Sequence, residues 1–346
     1  MRKLPEPPFT AALLLPRWLG DAVMASSLIE PLVRLSGCPV EVWGPAAFRE
    51  LFSVNRDIAS YRVYEGKGRH KGFSGLRRFR REIDTRPPDA LLLIPDSMST
   101  ALAAKVSGTG IRIGRALEGR GSLLSHPFRS MERNRNRHWV EEKADLLRPF
   151  SEPGTLENLE PKISLEEDDK DFERWSSDNG LSTSKYIVYA PGAVFGPAKR
   201  WTGFTELSKS FPEDVEILLV GAEADAETIV PLELELREAG RKVTSFVATL
   251  SLSSLARLFQ NARFTVSNDS GAMHLAAASG ARVLGIFLST DPLWTAPLGP
   301  EARFLAASVK CRPCFERKCP LPKMICREAV CTEDVIKSLD DWLETS

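Results

Sequence analysis

The chain has 346 residues and a mass of 38.3 kDa, with 43% hydrophobic and 27% charged residues. That length suits two domains of roughly 150 to 200 residues, and that composition excludes a disordered chain. Lys+Arg and Asp+Glu both count 46, which excludes a strongly basic nucleic-acid binder, so no nucleic-acid partner is expected.

No apolar run reaches the ~18 residues of a membrane-spanning helix. The apolar stretch behind the N-terminus is short and holds Arg17 and Asp21, so it does not read as a secretory signal, and a cytoplasmic protein is expected. The charge is unevenly placed. Residues 1–160 hold 25 Lys+Arg against 19 Asp+Glu, and residues 161–346 hold 21 against 27. An anionic partner for the first half follows from that asymmetry.

In chain order, 11–15 is a short continuous apolar run and reads as a buried strand. A turn holding Gly20 follows, and apolar residues at 22, 23, 28, 29, 32 and 33 then mark an amphipathic helix opened by Asp21. Strands are expected at 39–44, 90–95 and 111–114, with a helix over 97–106. Residues 151–162 lose the pattern and read as a linker, placing a first domain at 1–155 and a second at 156–332. Strands return at 186–190, 216–221, 242–247, 264–267 and 283–287, with helices at 252–260 and 272–279. Thr332 is expected to cap a last helix over 333–344. Alternating strands and helices in both halves predict an α/β protein of two Rossmann-like domains with parallel sheets and a cleft between them.

Five stretches carry chemistry-bearing residues. The first is Pro16-Arg17-Trp18-Leu19-Gly20-Asp21, where a carboxylate at a strand end is either a general base or an N-cap of its own helix. The second is the Gly/Pro-rich loop 190–201, in which Gly192 and Lys199 are suited to phosphate, although no Walker A pattern is present. In the third, Ser267-Asn268-Asp269-Ser270-Gly271-Ala272-Met273-His274, a helix start offers N–H groups to a diphosphate. There Asp269 can meet sugar hydroxyls and His274 can reach the anion.

The fourth stretch is the basic run Gly66–Arg81, including Arg69 and Lys71, with a second cluster at Arg129, Arg133, Arg135 and Arg137. Both suit an anionic glycolipid or an anionic membrane surface. The fifth is Cys311-x2-Cys314-x4-Cys319-x6-Cys326, compatible with a structural zinc site, with disulfides or free thiols left open.

With these segments in order, the chain resembles glycosyltransferase family 9, the bacterial lipopolysaccharide heptosyltransferases, and most of all its heptosyltransferase II branch. Four blocks carry the likeness: residues 15–21, 191–201, 267–278 and 289–299. The resemblance implies a GT-B fold, with acceptor on the first domain and nucleotide-sugar donor on the second. It implies transfer of L-glycero-D-manno-heptose from ADP-heptose to the lipopolysaccharide inner core, with inversion, at the cytoplasmic face of the inner membrane.

It further implies Asp21 as general base, with Lys199 neutralising the leaving diphosphate. Ser270, Gly271 and Ala272 are implied as N–H donors, Asp269 as a sugar ligand, Glu223 as a ribose ligand and Leu250 as a neighbour of the adenine. Arg120, with the basic run, is implied near the acceptor, a lipid A–Kdo/heptose core. No metal cofactor is required, because Lys199 and a helix N-terminus can do the work of a divalent ion. The alternatives are a GT-B transferase for another nucleotide sugar and a non-catalytic nucleotide-sugar binding protein.

Overall fold

The computed structural model of the chain describes residues 3–83, 86–128, 135–151, 156, 159–166, 169–181 and 185–344. Two compact units divide it, Met1–Ser164 and Leu165–Ser346. The stretch before that boundary belongs to the first unit: the Lys162 backbone N–H donates to the Ser26 hydroxyl at 2.9 Å.

The first unit holds β1 (Ala11–Leu14), β2 (Val40–Gly44), β3 (Ile58–Val63), β4 (Ala90–Leu93), β5 (Ile111–Arg115) and β6 (His126–Phe128). They form one parallel sheet in the order β3-β2-β1-β4-β5-β6. Leu13 sits between Val42 and Leu92 in register. All four residues of β1 and of β4 are buried, as a sheet covered on both faces requires.

The second unit holds β7 (Tyr186–Ala190), β8 (Glu216–Gly221), β9 (Val243–Val247), β10 (Thr265–Asn268), β11 (Val283–Phe287) and β12 (Ala302–Ala306). This sheet is also parallel, in the order β12-β11-β10-β7-β8-β9. Val266 lies between Tyr189 and Leu284. Its core gathers Tyr189, Phe204, Phe264 and Ile286 with Leu339 and Trp342 from the C-terminal end. The expected α/β class with two parallel-sheet domains is what these strand orders describe.

Both orders place the change of direction beside the first strand of the unit, between β1 and β4 and between β7 and β10. In open parallel sheets the strand ends on either side of such a point diverge and leave a crevice at the carboxyl edge. The residues after β1, β4, β7 and β10 are therefore the ones the fold offers to a ligand.

Two of the expected helices differ from expectation. The single helix expected after β1 is two, Leu19–Ala25 and Ile29–Ser36, with a 3-10 turn between them. Ser26 and Ser27 turn their hydroxyls onto the carbonyls of Val23 and Met24, each at 2.7 Å, and Pro31 has no N–H for the ladder. Thr332 is not a cap but the first residue of Thr332–Lys337, whose N-cap is Cys331. The last helix also breaks, resuming at Asp340–Glu344, where Arg303 takes the Ser338 carbonyl at 2.9 Å and the Asp341 carboxylate at 2.6 Å. That break lets both Leu339 and Trp342 reach the core.

Candidate active site

In the second unit the loop leaving β7 and the loop leaving β10 are tied together by two neighbouring side chains. Asn268, fully buried at the end of β10, accepts the Trp201 N–H at 3.0 Å and donates to the Pro191 carbonyl at 2.7 Å. It thus holds both ends of the loop that carries Lys199. Asp269, the next residue, takes the Lys199 ammonium at 2.5 Å and the Thr290 hydroxyl at 2.6 Å. Its side chain is 4% exposed and that of Lys199 13%. The ammonium also lies 4.8 Å from the centre of the Phe195 ring, a cation–π contact.

Gly192 is required by what lies beneath it. A Cβ there would stand 2.2 Å from the Asp225 carboxyl carbon. Asp225 is buried and accepts the Ala222 N–H at 3.1 Å. Burial pushes its carboxyl above the usual range, against the pull of that N–H and of Arg200.

The helix Gly271–Ala278 starts at the same crevice. Its N-cap, Ser270, makes no side-chain capping bond. The helix start is thereby left to whatever anion sits before it. Met273 and His274 point into the protein, His274 at 6% exposure. Glu223, in the turn after β8, is exposed, and Leu250, between β9 and the helix Leu252–Asn261, is half-buried. Lys199, Glu223, Leu250 and Asp269 follow four strands of one parallel sheet, so all four stand at its carboxyl edge.

In the first unit Asp21 follows β1. It is not an N-cap: Trp18 holds that position without a side-chain bond, and Asp21 lies in the first turn of Leu19–Ala25, next to Gly20. After β4 comes Asp96, met by Arg120 at 3.4 Å, Arg115 at 3.4 Å and Lys143 at 3.5 Å. Glu142 pairs with Arg115 and with Lys143.

Arg120 is fully buried, and its guanidinium is spent on the carbonyls of Arg115 at 2.7 Å, Pro95 at 2.7 Å and Ser97 at 3.2 Å. Burial lowers its pKa, with Asp96 opposing. Arg120 therefore braces the loop after β4 rather than presenting its charge at the surface.

The basic run folds as a turn and the helix Gly72–Glu82. Lys71 is its exposed N-cap residue, and Arg69 pairs with Glu82 at 2.5 Å. Phe73, Arg77, Arg78, Arg80 and Arg81 face outward, Phe73 at 78% exposure. In the second cluster Arg137 pairs with Asp145 at 3.0 Å, while Arg129 and Arg133 lie outside the described residues.

At Cys311, Cys314, Cys319 and Cys326, where the spacing leaves zinc, disulfides or free thiols open, the structure shows no disulfide. All four are free thiols, and among the described residues no group of three or more His, Cys, Asp or Glu is placed to hold a metal ion. Cys311 and Cys314 are exposed, Cys319 is half-buried and Cys326 is buried. Burial pushes the Cys326 thiol up, and the other three thiols add to that.

Asn268, Thr290 and Asp225 are not singled out by sequence reasoning. Asn268 and Thr290 stand inside two of the family-like blocks, and Asp225 lies two residues beyond Glu223, so position alone could have raised them.

The family model of glycosyltransferase family 9 (heptosyltransferase) matches residues 76–325. Lipooligosaccharide heptosyltransferase 2 of Campylobacter jejuni is 30% identical over 166 residues, which is 47% of this chain and 52% of that protein. Lipopolysaccharide heptosyltransferase 2 of Escherichia coli is 28% identical over 308 residues, 84% of this chain and 86% of that one. The solved structure of E. coli ADP-heptose lps heptosyltransferase II is similar with a TM-score of 0.78 at 23% identity, covering 97% of this chain and 98% of that one. The fold is accordingly of the GT-B class. A family model spanning most of the chain, over two sheets that carry its residues at their carboxyl edges, shows that this protein belongs to glycosyltransferase family 9 and is a glycosyltransferase.

Proposed function

We propose that the chain moves heptose from ADP-heptose to the inner core of lipopolysaccharide, with inversion at the anomeric carbon. The observation that carries this reading is the buried Lys199–Asp269 pair beside the uncapped helix start at Gly271, where β7 and β10 diverge. A cation, a helix N-terminus and a carboxylate suit, in turn, a diphosphate and the hydroxyls of its sugar.

In this reading Gly271 and Ala272 turn their N–H groups to the diphosphate and Asp269 takes hydroxyls of the heptose. Glu223 takes the ribose and Leu250 lies against the adenine. The acceptor hydroxyl oxygen bonds to the anomeric carbon as the bond from that carbon to the diphosphate breaks. The hydroxyl proton passes to Asp21, and Lys199 compensates the charge that grows on the departing ADP. The chain's own residues supply that compensation, and no metal is needed for it.

The acceptor is an anionic glycolipid, lipid A carrying Kdo and heptose. The outward row of Arg77, Arg78, Arg80 and Arg81 beside exposed Phe73 supports it. The same face suits peripheral attachment to the anionic cytoplasmic surface of the inner membrane. Among the described residues no helix is long and apolar enough to cross a membrane.

Calorimetric titration with ADP-heptose, UDP-glucose and GDP-mannose tests the donor. Selective binding of ADP-heptose, weakened in Asp269→Ala, supports the reading. Preference for either control sugar nucleotide leaves the fold intact and replaces the donor.

A further inference from the structure

The loop that carries Lys199 is seated on the cysteine-bearing segment. Ala198 N–H donates to the Arg317 carbonyl at 3.1 Å. Gly196, at φ 150°, lies so close that a Cβ would stand 2.4 Å from that same carbonyl oxygen. Arg327 adds a second clamp, donating to the Arg200 carbonyl at 3.0 Å and the Pro197 carbonyl at 3.2 Å. The backbone of Arg317 is therefore fixed against the turn before Lys199.

Its side chain meets the same aromatic ring as Lys199. The Arg317 guanidinium carbon lies 5.3 Å from the centre of Phe195, and the Lys199 ammonium 4.8 Å. Two cations thus share one ring, yet their electrostatic situations differ. Lys199 is already paired with Asp269 at 2.5 Å, so its charge is partly offset before a ligand arrives. Arg200, the next basic residue of the loop, is matched by Glu227 at 2.8 Å. Arg317 is exposed and has no ion pair with a carboxylate among the described residues. A diphosphate brings about two negative charges. The helix start at Gly271 returns only about half a charge.

We propose that Arg317 is a second diphosphate-binding cation of the donor site, reaching the ligand across Phe195. This rests on the reading of that site as one for an ADP-sugar. A guanidinium suits the task because its planar fork can pair two phosphate oxygens, whereas an ammonium acts as a point charge. Phe195 keeps the fork oriented before the ligand arrives, which limits the rotamer freedom lost on binding.

The test titrates ADP and adenosine into the full chain and into its Arg317→Ala and Arg317→Lys variants, with melting temperatures recorded alongside. Arg317→Ala is expected to weaken ADP about tenfold and to leave adenosine and the melting temperature unchanged, while Arg317→Lys recovers part of the loss. Equal ADP affinity in wild type and Arg317→Ala overturns the proposal while the donor reading stands. A wild-type chain that takes no ADP overturns the donor reading, and the role of Arg317 falls with it.

Discussion

Removing the Lys199 ammonium should cost the second unit stability, and the cost can be worked from the site. Two unit charges 2.5 Å apart attract by roughly 7 kcal/mol at an effective dielectric constant of about 20. Desolvation offsets much of that, because Asp269 is 4% and Lys199 13% exposed. Deleting one partner of such a pair strands the other and costs about 3–5 kcal/mol. The Thr290 hydroxyl, 2.6 Å from the same carboxylate, remains, which favours the lower end, about 3 kcal/mol. For a unit of this size that is a fall in melting temperature of roughly 6–12 °C. Lys199→Met shows this fall in scanning calorimetry, and Lys199→Met with Asp269→Asn recovers most of it, since no charge is then left buried. The single variant also loses about tenfold or more in ADP affinity. A Lys199→Met protein that melts with wild type, with no recovery in the double variant, refutes the stranded-charge reasoning.

Two further outcomes follow from neighbouring residues. Asn268→Ala frees both ends of the 191–201 loop, lowering stability by about 1–3 kcal/mol and weakening ADP, by scanning and titration calorimetry; unchanged ADP binding would show that the staple does not shape the site. Asp225 has a folded-state pKa raised above 3.8, so the stability it contributes is fully present below about 3.8 and is lost as pH rises through the folded value. Asp225→Asn therefore gains on wild type in melting temperature as pH is stepped from 4 to 7. A relative gain by wild type over that range would mean the carboxylate is stabilised in place.

The legible part of the fold is its buried interior. Residues 186–190, 216–221 and 283–287 are built on apolar runs and are strands with those bounds. β3 and β12 escape the reading because they are edge strands, half-exposed and broken by Ser60, Arg62 and Arg303. β6 is three residues with Pro127 at its centre and carries no periodicity at all.

At the site, Lys199 and Asp269 are each legible in their own loops, but not their pairing, which depends on β7 and β10 lying side by side. The same holds for Asn268, whose two partners are about seventy residues away. The burial of Arg120 is not legible either: the carbonyls of 95, 97 and 115, distant or displaced in sequence, converge where it sits.

The most direct measurement is turnover: ADP released and heptose transferred when the chain meets ADP-heptose and a heptose-deficient lipopolysaccharide core, in wild type and in Asp21→Asn. Wild type is expected to form product with inverted anomeric configuration. Asp21→Asn is expected to bind ADP as wild type does and to turn over about a hundredfold or more slowly. Retained configuration, or an Asp21→Asn rate equal to wild type, would contradict an inverting transfer with Asp21 as its base.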